Sequence, residues 1–172
     1  MLILIEGVDG SGKSTLAANL AKRTGGRIIK TAEPTADCLV YYTAPLMDYR
    51  AGSGETIIID RFHLGEKVYG PIRRGKSGLS PVKWGAVEAF LAERGAIGVL
   101  CFCPLEDVFS RLRKRGEPVN EEQLTNEARA FQYAWTWSTL PWFMAHTTVH
   151  SSDRIADAVV DFARREEERA LA

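Results

Sequence analysis

The chain has 172 residues, 45% hydrophobic and 26% charged, the balance of a water-soluble globular protein long enough to bury a core. Lysine plus arginine equal aspartate plus glutamate at 22 each, so no net field draws in a polyanion and a dedicated nucleic-acid binder is disfavoured. Three cysteines without C-x-x-C spacing exclude a disulfide framework and point to a reducing compartment, and no apolar run approaches the ~20 residues that cross a bilayer.

Leu2-Ile3-Leu4-Ile5 reads as a buried strand. Because the chain opens on it, no targeting segment is expected, and the expected location is cytoplasmic. Between this strand and an amphipathic helical pattern, Thr15–Lys22, lies Gly7-Val8-Asp9-Gly10-Ser11-Gly12-Lys13-Ser14. It fits G-x-x-x-x-G-K-[ST] in the strand–loop–helix setting that separates a phosphate-binding loop from a chance match. Glycines let the backbone approach an anion, and successive N–H groups with the helix N-terminus present partial positive charge to it. Residues 7–15, through Thr15, are therefore expected to hold ATP, with Lys13 on the β- and γ-phosphates and the Ser14 hydroxyl on Mg²⁺.

Arg27–Thr31 is predicted as the second strand, ending at Glu33-Pro34, and residues 36–50 as a helix broken by Ala51-Gly52-Ser53-Gly54. Thr56–Asp60 is the clearest strand, β-branched and closed by an acid. A helix starts over 61–69 and stops at Gly70-Pro71, leaving Arg73-Arg74-Gly75-Lys76 as a basic loop. Pro81 sits in the first turn of a helix to about Arg94, and Ile97–Cys103 is a fourth strand stopped by Pro104. Helices over 105–114 and 121–135 flank Arg115-Gly116-Glu117-Pro118, Thr147–His150 is the last strand, and 153–170 a closing helix. The alternation predicts βαβ units, a parallel sheet and one α/β domain over residues 1–172. Cys101 and Cys103 read as core packing, Trp135, Trp137 and Trp142 as a long helix packed on the sheet, and His63 as a helix-face histidine.

The carboxyl ends of parallel strands line the ligand crevice, so Asp60-Arg61 and Glu33 arrive beside the phosphate loop. Asp60 there positions Mg²⁺ or accepts a proton, and Arg61 holds an acceptor phosphate or the transferring group. Glu33 is a second candidate general base. Arg111 and Arg115, spaced i,i+4 before a Gly-Pro loop, suit a lid over about 111–120 that closes on the triphosphate. The basic loop at 73–76 reads equally as a grip on an acceptor phosphate, a contact to a DNA strand, or a solvated turn.

With Glu6-Gly7-Val8-Asp9-Gly10-Ser11-Gly12-Lys13-Ser14-Thr15, then Glu33-Pro34, then Asp60-Arg61, the chain resembles thymidylate kinases and the related deoxynucleoside kinases. The resemblance implies the P-loop kinase fold, a five-stranded parallel sheet ordered 2-3-1-4-5, with ATP and Mg²⁺ as donor. It implies a nucleotide or nucleoside acceptor whose sugar approaches Asp9, a homodimer in many relatives, and lid arginines at Arg111 and Arg115. Three departures stand out. Ala32 replaces an arginine common before Glu-Pro, the stretch from Pro34 to Thr56 is short, and Tyr41, Tyr42 and Tyr49 are the substitutes for a base-stacking aromatic. The segment holding His63, Glu66 and Tyr69 fits either branch. The expected activity is ATP-dependent phosphorylation of a deoxynucleoside monophosphate held by Asp9, Glu33, Arg61, Tyr69, Arg73 and Arg74. Alternatives are a hydroxyl acceptor, either a free deoxynucleoside or a hydroxymethylated base in DNA, and, less favoured, a nucleotide switch or ATPase.

Overall fold

The structure, a computed structural model, describes residues 1–34 and 37–171. Strand β1 (Leu2–Glu6) lies at the centre, flanked by β3 (Ile57–Asp60) and β4 (Ala96–Phe102), with β2 (Arg27–Lys30) and β5 (Trp142–His146) at the edges. All pairs are parallel and the order is β2-β3-β1-β4-β5, as expected. β1 is buried on both faces, which is why its sequence is a continuous apolar run rather than an alternating one. Its register sets Ile5 beside Asp60 and Glu6 beside Leu100, so the phosphate loop and the Asp60-Arg61 exit emerge at the same end of the sheet.

Helices α1 (Lys13–Thr24) and α7 (Ser152–Leu171) cover one face through Leu16, Leu20, Ile155 and Val159. On the other face, α2 (Cys38–Thr43) and α4 (Pro81–Glu93) contribute Tyr42, Val87 and Leu91. A third apolar cluster, with Leu64, Val68, Val108 and Phe131, joins α3 (His63–Arg74), α5 (Leu105–Lys114) and α6 (Glu121–Ala134).

Several expectations are corrected. The helix expected over 36–50 is α2 followed by a 3-10 turn at Ala44–Leu46, and Ala36 lies outside the described residues. Pro45 lacks an N–H and disfavours continuation of the α-helix. α3 runs through Pro71 to Arg74, so Arg73 and Arg74 occupy a helical last turn rather than a loop. The last strand is Trp142–His146; Thr147 and Thr148 lie in the turn beyond, where their hydroxyls donate to Ser11 O in the loop after β1 and to Asp107 in the first turn of α5. The tryptophans do not share a long helix, since Trp135–Trp137 form a 3-10 turn and Trp142 opens β5.

His63, the first residue of α3, lies on the buried face of that helix, with Nε2 2.5 Å from Glu88 Oε1. Glu88 also accepts from Ser138 Oγ at 2.9 Å and from the Thr139 N–H at 2.7 Å, tying α3 and α4 to the segment entering β5. Burial alone would raise the Glu88 carboxyl, but the bonds from His63 and Thr139 hold it below its ordinary value of 4.5. A depressed carboxyl lends stability above its unfolded pKa and loses it as pH falls through the folded one. Glu88→Ala should cost about 3 kcal/mol at pH 7 in chemical denaturation, and its deficit should shrink below about pH 4. A deficit that stays constant into acid would contradict the assignment of Glu88 as a hydrogen-bonded, ionised carboxylate.

Candidate functional site

The phosphate loop is shaped by close backbone approach. Gly7 has φ 137°, and a Cβ there would stand 2.3 Å from the Cys101 carbonyl oxygen. Gly12, at φ 96°, turns the chain into α1. Lys13 is buried and folded back, its Nζ donating to the carbonyls of Gly7 (2.8 Å) and Val8 (2.9 Å) and lying 3.6 Å from Asp9 Oδ1. Burial pushes the Lys13 ammonium below its usual range against the pull of Asp9. These carbonyl bonds fold the ammonium onto the backbone of Gly7 and Val8.

Ser14 Oγ donates to Asp60 Oδ2 at 2.6 Å. Asp60 Oδ1 is buried and has no partner among the described residues, a free oxygen beside a hydroxyl. An all-oxygen pair at the foot of a phosphate loop fits Mg²⁺, which takes one or two protein oxygens and keeps water and phosphate for the rest. Lys13, Ser14, Arg61 and Arg115 bound a cradle of about 250 Å³. The cradle adjoins a cleft of about 340 Å³ lined by Thr15, Leu16, Arg111, Thr147 and Ile155.

Across Asp9 lies a second cleft, of about 160 Å³, between the ends of β2 and β3 and the face of α3. Arg61 enters it from an unusual backbone: its φ is 71°, in the left-handed region that a non-glycine residue rarely adopts. The surroundings fix that conformation. The Arg61 N–H donates to Ile5 O at 2.9 Å, and Thr31 Oγ1 donates to Arg61 O at 2.7 Å. Glu6 Oε1 accepts the N–H groups of Phe62 (2.9 Å) and Gly65 (3.0 Å), capping α3 from the end of β1. Arg61 Nη2 then meets Asp9 Oδ1 at 2.5 Å. Although burial works the other way, Lys13, Arg61 and Arg73 together hold the Asp9 carboxyl below its usual range.

Arg73 donates to both oxygens of the buried Glu127, at 2.7 and 3.0 Å, reaches Asp9 Oδ2 at 3.5 Å, and stacks on Tyr69 with 4.1 Å to the ring centroid. Tyr69 OH donates to Gly7 O at 3.1 Å. Arg74 points the other way, to both oxygens of buried Glu66 and, through Nη1, to Glu33 at 3.2 Å. Glu33 is thus an exposed carboxylate on the rim of this cleft, paired to Arg74. Of the three tyrosines, Tyr42 lines the cleft, Tyr41 bonds to the backbone of Ala32, and Tyr49 is buried in the core.

Arg111 and Arg115 part company. Arg111 donates to Gly10 O (3.2 Å), Thr147 Oγ1 (3.2 Å), Thr147 O (3.3 Å) and Thr148 Oγ1 (3.3 Å). It braces the phosphate loop against the turn after β5. Arg115 borders the cradle, paired at 2.8 Å with Glu117. Glu127, the buried partner of Arg73, and Thr147, which donates to Ser11 O at 2.7 Å, were not singled out by sequence. Each stands alone in its stretch, with no motif to mark it.

No family model matches the chain, and no curated protein matches it. Solved structures do. YorR protein from Bacillus subtilis, in complex with phosphorylated GDP, superposes with TM-score 0.83 over 98% of both chains, at 23% identity. Deoxyadenosine kinase from M. mycoides, with bound dCTP, has TM-score 0.63 at 19% identity, covering 94% of this chain and 99% of its own. A gluconokinase from Sinorhizobium meliloti 1021 has TM-score 0.60 at 16% identity, covering 99% and 95%. The fold is that of the P-loop kinases.

Glu6 offers a check on the site's electrostatics. Burial raises its carboxyl above the ordinary 4.5, with Oε2 buried and unpartnered among the described residues. A raised folded pKa lends stability that is fully present below the unfolded value and lost as pH rises through the folded one. The stability of wild type relative to Glu6→Gln should therefore decline from about pH 4.5 upward. A difference independent of pH would show that Glu6 is not a buried, titrating acid.

Proposed function

We propose that the protein transfers the γ-phosphoryl group of ATP to a deoxynucleoside monophosphate. The observation that carries this reading is the position of Asp9 and Arg61, which border both the phosphate cradle and the second cleft. Two anions bound on either side would meet at one point, lined by Lys13, Arg61 and Arg73. Phosphoryl transfer needs mainly positioning and charge stabilisation, which that arrangement supplies. The fold shared with nucleoside and sugar kinases supports the reaction class.

In this scheme the loop N–H groups and Lys13 hold the donor phosphates, and the nucleoside rests in the cleft beside Thr15 and Thr147. Mg²⁺, held by Ser14 and Asp60, would offset charge on the β- and γ-phosphates. Arg61 and Arg73 draw the acceptor phosphate against the γ-phosphorus, and Asp9 faces the acceptor's sugar. An acceptor oxygen forms the new P–O bond as the bond to the β-phosphate oxygen breaks, releasing ADP. A phosphate monoester, with second pKa near ~6, is already ionised at pH 7, so no general base is required. Arg115, exchanging Glu117 for the transferring group, closes over the triphosphate as the lid residue, while Arg111 keeps the loop beneath it in place.

A second reading, a hydroxyl acceptor, is favoured by Glu33, an exposed carboxylate on the rim of the second cleft, in a chain with Ala32 where a further phosphate grip would stand. γ-Labelled Mg·ATP incubated with deoxynucleoside monophosphates, deoxynucleosides, and plain or hydroxymethylated DNA separates the two. Label is expected in a nucleoside diphosphate. Label only in a nucleoside or in DNA would establish the second reading, and release of phosphate without any acceptor would overturn both. Lys13→Ala should abolish transfer with an unchanged circular dichroism spectrum. Arg73→Ala should raise the acceptor KM by about 10- to 100-fold, the weight of a charged hydrogen bond.

A further inference from the structure

Arg73 and Arg74 are consecutive in the last turn of α3, and the ~100° between neighbours on a helix sends them to opposite ends of one cleft. Arg73 turns to Asp9 and the phosphate loop. Arg74 turns to the far end, walled by Pro34, Tyr42, Phe62 and Glu66. Pro34, Tyr42 and Phe62 give that end an apolar, aromatic lining beside the two ion pairs of Arg74, surroundings suited to a flat heterocycle.

The pair is built rather than incidental. The Glu66 side chain is 2% exposed, and its oxygens are occupied. Oε1 accepts from Arg74 Nη2 and from the Gly78 N–H, both at 2.7 Å, and Oε2 accepts from Arg74 Nη2 at 2.5 Å. Gly70 makes room for it, since a Cβ there would stand 2.8 Å from Glu66 Oε1. One arm of the guanidinium is therefore anchored. The other arm, Nη1, meets Glu33, whose side chain is 63% exposed, a surface pair readily given up to water. A planar guanidinium fixed by one arm presents the other as an oriented donor edge, and Glu66 has little acceptor capacity left beside it.

We infer that Arg74, anchored by Glu66, reads the acceptor's base and selects a ring carbonyl over an amino group, preferring 6-oxopurines and 4-oxopyrimidines to adenine and cytosine. This rests on the second cleft being the acceptor site proposed above. A ring carbonyl accepts the hydrogen bond from Nη1–H that Glu33 gives up. An exocyclic amino group at that place sets N–H against N–H and leaves both unpaired. Arg73 and Arg74 thus divide the acceptor, one at its phosphate and one at its base.

The test is kcat/KM for dGMP, dTMP, dUMP, dAMP and dCMP, and for the corresponding free deoxynucleosides, with wild type, Arg74→Gln and Glu66→Gln. Wild type should favour the oxo bases by about tenfold or more. The ratio should fall toward one in Arg74→Gln and part of the way in Glu66→Gln, where the anchor is weakened. A variant that is merely less stable loses activity on all bases and keeps the ratio. Equal use of oxo and amino bases by wild type would overturn the inference without any variant. So would an Arg74→Gln protein, folded by circular dichroism, that keeps the wild-type ratio. The preference appearing only among deoxynucleosides would retain the base assignment and overturn the monophosphate reading. Transfer to neither set would overturn both.

Discussion

The carboxylate of Asp9 meets Lys13, Arg61 and Arg73, which come from the first turn of α1, the exit of β3 and the last turn of α3. Without that anion three cations would face one another across the meeting point of two clefts, a like-charge cluster costly to assemble in a partly buried setting. With it, the three cations are held together and the cluster is still rich in donors. Each cation keeps N–H groups that an incoming phosphate can take, and the local positive excess favours an anion over water.

The rest of the site follows from where the sheet delivers the backbone. Parallel register brings the ends of β1 and β3 level, so the loop after Glu6 and the turn after Asp60 adjoin. Glu6 then caps α3, fixing both the left-handed Arg61 and the helix that carries Tyr69, Arg73 and Arg74. The buried acids Glu66 and Glu127 aim the two terminal arginines apart. The fold alone does not say what the second cleft holds, because solved structures that share it include a deoxyadenosine kinase and a gluconokinase. In the proposed reading, the side chains around the second cleft carry the choice.

The phosphate loop, the central strands and the Asp60-Arg61 exit were legible in the sequence because each depends on local grammar: glycine spacing, a continuous apolar run, an acid at a strand end. What escaped depends on distant partners. Gly70-Pro71 has the grammar of a stop, yet α3 continues because ion pairs to Glu127 and Glu66 hold Arg73 and Arg74 in its last turn. Thr147-Thr148-Val149 has β-branched composition, but the hydroxyls bond to Ser11 and Asp107, and the edge strand is the aromatic-rich segment before it. Arg111 and Arg115 look equivalent at i,i+4. Only the tertiary structure separates a brace bonded to Gly10 and Thr147 from a residue beside the phosphate cradle.

The central claim is that donor and acceptor occupy two clefts joined at Asp9. Calorimetric titration with a bisubstrate compound, adenosine linked to a deoxynucleoside through an oligophosphate, tests it most directly. One compound should bind per chain, far more tightly than a non-hydrolysable ATP analogue, and either substrate should displace it. Affinity no greater than that of the ATP analogue, or displacement by ATP alone, would show that the second cleft is not the acceptor site.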